Sequence, residues 1–138
     1  MKKIASKIPS IVFTSVFLTS NAFSGTLTLD ISGITIGKGK VYIGIFNKAK
    51  QYPTGRPIHK ILVNANKSNS VLKLTLKAGR YAIAAFQDKN NNKKLDKNFL
   101  GMPEEKSGFS GKQVFGEPNF HQAMIVVKAK KTVSITLK

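Results

Sequence analysis

The sequence predicts an all-β fold: an antiparallel sandwich of about seven short strands. Three observations carry that expectation. Apolar and polar side chains alternate with a period of two in several separate segments, as half-buried strands require. Clusters of Gly, Pro, Asn and Ser divide those segments at intervals of roughly 8 to 12 residues, the turn spacing of sandwiches. Beyond the N-terminal stretch, no segment repeats its apolar residues at helical spacing.

Taken in order, residues 1–24 read as an export signal. Lys2, Lys3 and Lys7 give a basic start, residues 8–18 a short apolar run, and Ser20-Asn21-Ala22 or Ala22-Phe23-Ser24 a small-residue cleavage pattern. The run is shorter than the roughly 20 apolar residues that a membrane-spanning helix needs. Residues 25–138 form the expected sandwich domain. In residues 26–32, Leu27, Leu29 and Ile31 face one side; in residues 41–46, Val41, Ile43 and Ile45 do the same while Tyr42, Gly44 and Phe46 face the other. A strand that is apolar on both faces belongs near the middle of a sheet. Residues 47–57, rich in Pro and Gly, read as a loop, and residues 58–65 as a third strand. Leu72, Leu74 and Leu76 alternate with Lys73, Thr75 and Lys77 in the most amphipathic strand, and residues 81–86 (YAIAAF) make a short apolar, central one. Residues 123–127 (AMIVV) read as a buried strand, and Val133, Ile135 and Leu137 mark the last.

Between the fifth and sixth strands lies a long connection, residues 87–122, which holds five of the six acidic residues: Asp88, Asp96, Glu104, Glu105 and Glu117. Connections longer than about 12 to 15 residues are uncommon in compact domains and are functional or disordered when they occur. Four phenylalanines, Phe99, Phe109, Phe115 and Phe120, argue for order, because disordered segments are poor in aromatics.

The first half of that connection has the spacing of a calcium loop. Oxygen-bearing side chains stand at Asp88, Asn90, Asn92 and Asp96, the first, third, fifth and ninth places, and the Lys94 backbone carbonyl falls at the seventh. The sixth place, where Gly makes the sharp turn of such loops, is Lys93, and the twelfth, where a bidentate Glu is needed, is Phe99. Glu104 or Glu105 would have to fold back in its place. With two carboxylates in the loop and lysines at positions 89, 93, 94 and 97, affinity is expected to be weak, about 10⁻⁴ to 10⁻³ M. The alternative is an Asn-rich turn whose side chains bond their own backbone. In the second half, a groove lined by Phe99, Phe109 and Phe115 and rimmed by Glu104, Glu105 and Lys106 would suit a ligand; the alternative is that the rings complete the core.

Catalytic constellations are thin. The chain has no cysteine, His59 and His121 stand far apart in sequence, and no serine sits in a nucleophile motif, so no enzyme activity is expected. Two histidines are too few for a zinc site. Without cysteine, the core must supply stability unaided by disulfides.

The runs at residues 88–101 (DKNNNKKLDKNFLG), 102–105 (MPEE), 107–110 (SGFS) and 118–120 (PNF) with Ala123 resemble a family of small exported bacterial proteins, the domain of unknown function twenty-one forty-one. The resemblance covers essentially the whole chain after the signal. It implies a periplasmic or secreted β-sandwich with a transthyretin-like or immunoglobulin-like fold, and it implies no activity. Relatives commonly carry Gly where this chain has Lys93.

The formal net charge is +17, three units of it from the signal lysines. Such a charge favours anionic surfaces such as lipid headgroups, while an exported chain without a nucleic-acid-binding motif is not expected to meet nucleic acid. The sequence therefore predicts a monomeric, non-catalytic binding or accessory module of the cell envelope that uses residues 88–120 to hold an unknown ligand or envelope component. The competing expectation is a calcium-stabilised structural domain attached to an anionic membrane surface through its lysines.

Overall fold

The computed structural model describes residues 22–138. Most of the expected export signal lies outside the described residues. Among the described residues no helix is long and apolar enough to cross a membrane. Eight strands among the described residues form two sheets. The first has the order β4 (Asn69–Lys77), β1 (Ser24–Ser32), β8 (Lys130–Thr136); the second runs β3 (His59–Asn64), β2 (Lys40–Phe46), β5 (Gly79–Asp88), with β6 (Ser107–Phe109) and β7 (Met124–Val127) both along the far edge of β5.

The alternation in sequence becomes the two inner faces. Leu27, Leu29 and Ile31 of β1 and Val41, Ile43 and Ile45 of β2 are completely buried and meet Ile83, Ala85, Val127 and Ile135 in one core. At about 25 cal/mol for each Å² of apolar surface removed from water, this interface is the main favourable contribution to folding. β2 and β5 are central, as their two apolar faces require. Pairing is antiparallel with one exception: β8 runs parallel to β1. The chain leaves β7 in the second sheet, turns through residues 128 and 129, and enters the first sheet where the Thr26 amide donates to the Ala129 carbonyl (2.6 Å). That crossing reverses the direction in which β8 can meet β1.

The eighth strand, β6, lies inside the expected connection. Its pattern is too short for a period to register, but Gly108 carries a signal: a Cβ there would stand 2.6 Å from the Ile135 Cγ2 and 2.7 Å from the Thr136 carbonyl. Only glycine lets β6 press on β8, a close backbone approach that strand glycines often mark. Ser107 and Lys138 exchange backbone hydrogen bonds of 3.1 Å each, so the C-terminal residues tie the two sheets together along this side.

Two local expectations are corrected. Residues 123–127 are not uniformly buried: β7 borders β5 on one side only, and Val126 is exposed. Residues 120–123 form a single helical turn, α1 (Phe120–Ala123), held by a capping box in which Asn119 and Gln122 bond each other's backbone. One turn is too short to show a helical period.

Candidate ligand groove and acidic loop

The outer face of the second sheet is the unusual surface of this molecule. Facing away from the core, neighbouring residues of β2 and β5 pair as Tyr42 with Phe86, Gly44 with Ala84 and Phe46 with Ala82. The Tyr42 and Phe86 rings stack at 5.3 Å and 11°, a favourable cross-strand aromatic pair. Gly44 and Ala84 between them are too small to fill the layer, so the face has a trench with aromatic walls.

One end of this face is covered. Phe46, Tyr52, Ala82 and Ala123 are buried together there, with Ala84, Phe109 and Phe120 packed against them. Tyr52 sits edge-on to Phe46 (5.5 Å), Phe109 (6.4 Å) and Phe120 (6.0 Å). Its hydroxyl is buried and has no hydrogen-bond partner among the described residues. Burial, with the Glu117 carboxylate adding, pushes the Tyr52 phenol above its ordinary range.

Between this cover and residues 93–97 the trench stays open as a groove of about 480 Å³. Gly44 and Ala84 line its floor, Tyr42, Phe86, Phe46 and Phe109 its walls, and Pro53, Thr54, Gly55 and Pro57 overhang one side. Lys93, Lys94, Leu95 and Lys97 come from the acidic connection, and Lys60, whose ammonium lies 5.0 Å from the Tyr42 ring centre, reaches in from β3. Lys97 pairs with Glu117 at 3.3 Å on the rim.

The acidic loop is built around its own carboxylates. Asp88, completely buried at the end of β5, accepts the amides of Asn92 (3.2 Å) and Lys93 (2.8 Å). Asp96 accepts the side-chain amides of Asn90 (2.6 Å) and Asn92 (2.7 Å), and the Asn92 side-chain oxygen accepts the Lys94 amide (2.9 Å). Glu105, also buried, folds back across the loop, taking the Lys89 amide on Oε1 (2.7 Å) and the Asp96 amide on Oε2 (3.3 Å). Just upstream, the fully buried Gln87 accepts the Thr35 amide (2.8 Å) and donates to the carbonyls of Thr35 (2.7 Å) and Lys38 (2.6 Å). Asn91 and Lys93 adopt the left-handed conformation, with φ of 60° and 65°.

The structure thus brings Asp88, Asn90, Asn92, Asp96 and Glu105 into one hydrogen-bonded loop. Among the described residues no three His, Cys, Asp or Glu side chains gather as a metal cluster, so any cation here would also need asparagine and backbone oxygens. Of the expected groove residues, Phe109 lines the groove, whereas Phe99 (95% exposed) and Phe115 (100%) stand in solvent away from it, and Glu104 is exposed. Tyr42, Gly44, Ala84 and Phe86 were not singled out as site residues. The signal for them was the second apolar face of the two central strands, which a two-layer sandwich does not need for its core.

A family model described as an uncharacterized protein conserved in bacteria (DUF2141) matches residues 29–136. No curated protein and no solved structure matches the chain. The match runs from β1 through β8 and takes in both the groove and the acidic loop; the chain belongs to this uncharacterised bacterial family.

Proposed function

We propose that the chain is an exported, non-catalytic binding or accessory module of the cell envelope, and that its groove takes the apolar body of a ligand. The observation that supports this reading is the Gly44–Ala84 floor, which leaves an aromatic-walled trench on a sheet face that is ordinarily polar in a sandwich. Its volume of about 480 Å³ falls within the roughly 300 to 1,000 Å³ of ligand pockets. The exposed ammonium groups of Lys93 and Lys94 at the rim suit a ligand with an acidic end.

Anilinonaphthalene sulfonate, an apolar ring system with an anionic group, is the probe. Its fluorescence should rise on binding the parent chain, and Ala84→Leu, which fills the floor, should abolish that rise in a variant that still folds. Equal probe binding by a folded Ala84→Leu variant, or none by the parent, would refute the groove reading.

A second reading is favoured by one observation, the return of Glu105 to the loop. In it the domain is stabilised by calcium, held by Asp88, Asn90, Asn92, Asp96 and the Lys94 carbonyl, with Glu105 standing in for the missing twelfth-place glutamate. Turning the Asn90 and Asn92 amides so that their oxygens face the cation would break their bonds to Asp96, which keeps the affinity weak. At about 10 mM calcium, a dissociation constant of about 10⁻⁴ to 10⁻³ M would add roughly 1.4 to 2.7 kcal/mol of stability. Unchanged melting and unchanged amide shifts over residues 88–105 at that concentration would rule it out.

A further inference from the structure

Two loop tips hold large apolar side chains in water, and the first is held in shape by its own hydrogen bonds. In residues 98–102 the Asn98 amide donates to the Met102 carbonyl (2.8 Å), the Gly101 amide donates to the Asn98 carbonyl (2.9 Å), and the Asn98 side-chain oxygen accepts the amides of Leu100 and Met102 (3.0 Å each). A bridge between Lys97 and Pro103 closes the base. This turn points Phe99, Leu100 (72% exposed) and Met102 outward. The second tip, residues 113–116, presents Val114 and the fully exposed Phe115. The Lys97–Glu117 ion pair joins the bases of the two tips, so their apolar groups belong to one end of the molecule. Single exposed apolar residues are ordinary; a group of five on two adjoining tips is not.

From these tips we infer a membrane-docking surface: residues 98–102 and 113–116 insert into the interface of an anionic lipid bilayer. Neither tip contains a charged residue, so no ion has to leave water for insertion. Lys112 stands immediately before the second tip, where its ammonium group can reach lipid phosphates while its stem follows the apolar surface; the Lys97 ammonium is held by Glu117. The acidic loop is itself nearly balanced, but the chain, which keeps a net charge of +14 without the three signal lysines (20 basic against 6 acidic residues), is drawn to an anionic surface as a whole. The inserted aromatics then decide which end faces the lipid, as the apolar face does in other interfacial proteins. This inference does not depend on what the groove holds.

The chain has no tryptophan, so single Phe99→Trp and Phe115→Trp variants each report one site by fluorescence. Val71→Trp, on the exposed face of β4 in the opposite sheet, is the control. With vesicles of phosphatidylcholine and phosphatidylglycerol in equal parts, both tip tryptophans should shift to the blue and be quenched by brominated lipid, and Val71→Trp should do neither. Phe99→Ser combined with Phe115→Ser should weaken vesicle partitioning by at least about tenfold, the loss expected when even one buried phenylalanine is removed. Any one of three results overturns the inference: no binding by the parent at low salt; undiminished binding by the double serine variant, which would leave electrostatic attachment alone; or a blue shift that grows with protein concentration without lipid, which would mean that the tips pack on a second copy.

Discussion

Lys93 occupies a backbone conformation that suits glycine, and replacing it tests whether the loop is as tightly specified as its hydrogen bonds indicate. At φ 65° a side chain with a Cβ costs about 1 to 2 kcal/mol. Glycine removes that strain but loses more conformational freedom on folding, about 0.5 to 1 kcal/mol. The Lys93 side chain is exposed, and its amide bond to Asp88 (2.8 Å) survives the change. Lys93→Gly should therefore stabilise the domain by roughly 0.5 to 1 kcal/mol, which for a chain of this size raises the melting temperature by about 2 to 5 °C. Differential scanning calorimetry reads this directly. Lys93→Ala removes the same charge and keeps the strain, so it should change little. Asn91→Gly, at φ 60°, should also be near neutral, because asparagine tolerates the left-handed region and glycine's entropy cancels the small relief. A Lys93→Gly variant no more stable than the parent would refute the strain reasoning. Equal stabilisation by Lys93→Ala would trace the gain to charge relief among the neighbouring lysines.

Substitutions at three other residues probe buried polar groups. Glu105→Ala strands the Lys89 and Asp96 amides and should cost about 2 to 4 kcal/mol in urea denaturation, with faster hydrogen exchange at those two amides; Glu105→Gln, which keeps one carbonyl acceptor, should cost about half as much. Gln87→Leu leaves the Thr35 amide and the Thr35 and Lys38 carbonyls without their partner and should cost about 2 to 4 kcal/mol. Tyr52→Phe removes a buried hydroxyl that has no partner and should stabilise by about 0.5 to 1.5 kcal/mol. Because the Tyr52 phenol is raised in the folded state, its contribution is fully present below the ordinary tyrosine value of about pH 10 and is lost as the pH climbs from there toward the folded value. Tyr52→Phe should flatten that alkaline decline in a melting series, and an unchanged decline would show that Tyr52 is not its source.

The sandwich was legible because its core obeys a simple period. Leu27, Leu29 and Ile31 alternate with polar neighbours, and burial of one face of β1 leaves no other register available. The parallel pairing of β8 was not legible, since alternation fixes which face a strand buries but not the direction in which it meets its neighbour. In the acidic loop, spacing brought out Asp88, Asn90, Asn92 and Asp96, and the structure places them together with Glu105. Nothing local separated Glu105 from Glu104; only the path of the chain back toward β5 turns one inward and leaves the other in water. Phe99, Phe109 and Phe115 looked alike as aromatic residues of one connection. Their fates diverge because Phe109 belongs to β6 and is pinned against Ala84, while the other two ride on turns that the sheet does not cover.

β5 explains why groove and loop belong to one device. Its inward residues, Ile83 and Ala85, complete the core; its outward residues Ala84 and Phe86 supply part of the groove floor and walls, while Ala82 lies under the aromatic cover; and its last residue, Asp88, anchors the loop that carries Lys93, Lys94 and Leu95 over the groove. The position of that overhang rests on the bonds of Asp88 and Glu105 to backbone amides, and carboxylate bonds of this kind are among the stronger ones in proteins. The loop's carboxylates therefore have a role whether or not a cation joins them: they hold the groove's cationic rim at a fixed height above its apolar floor. Five of the six acidic residues fall in this one connection of a strongly basic chain, and three of them, Asp88, Asp96 and Glu105, are used to bond the loop to itself. That distribution gives the connection a bonded shape that a merely solvated one would lack.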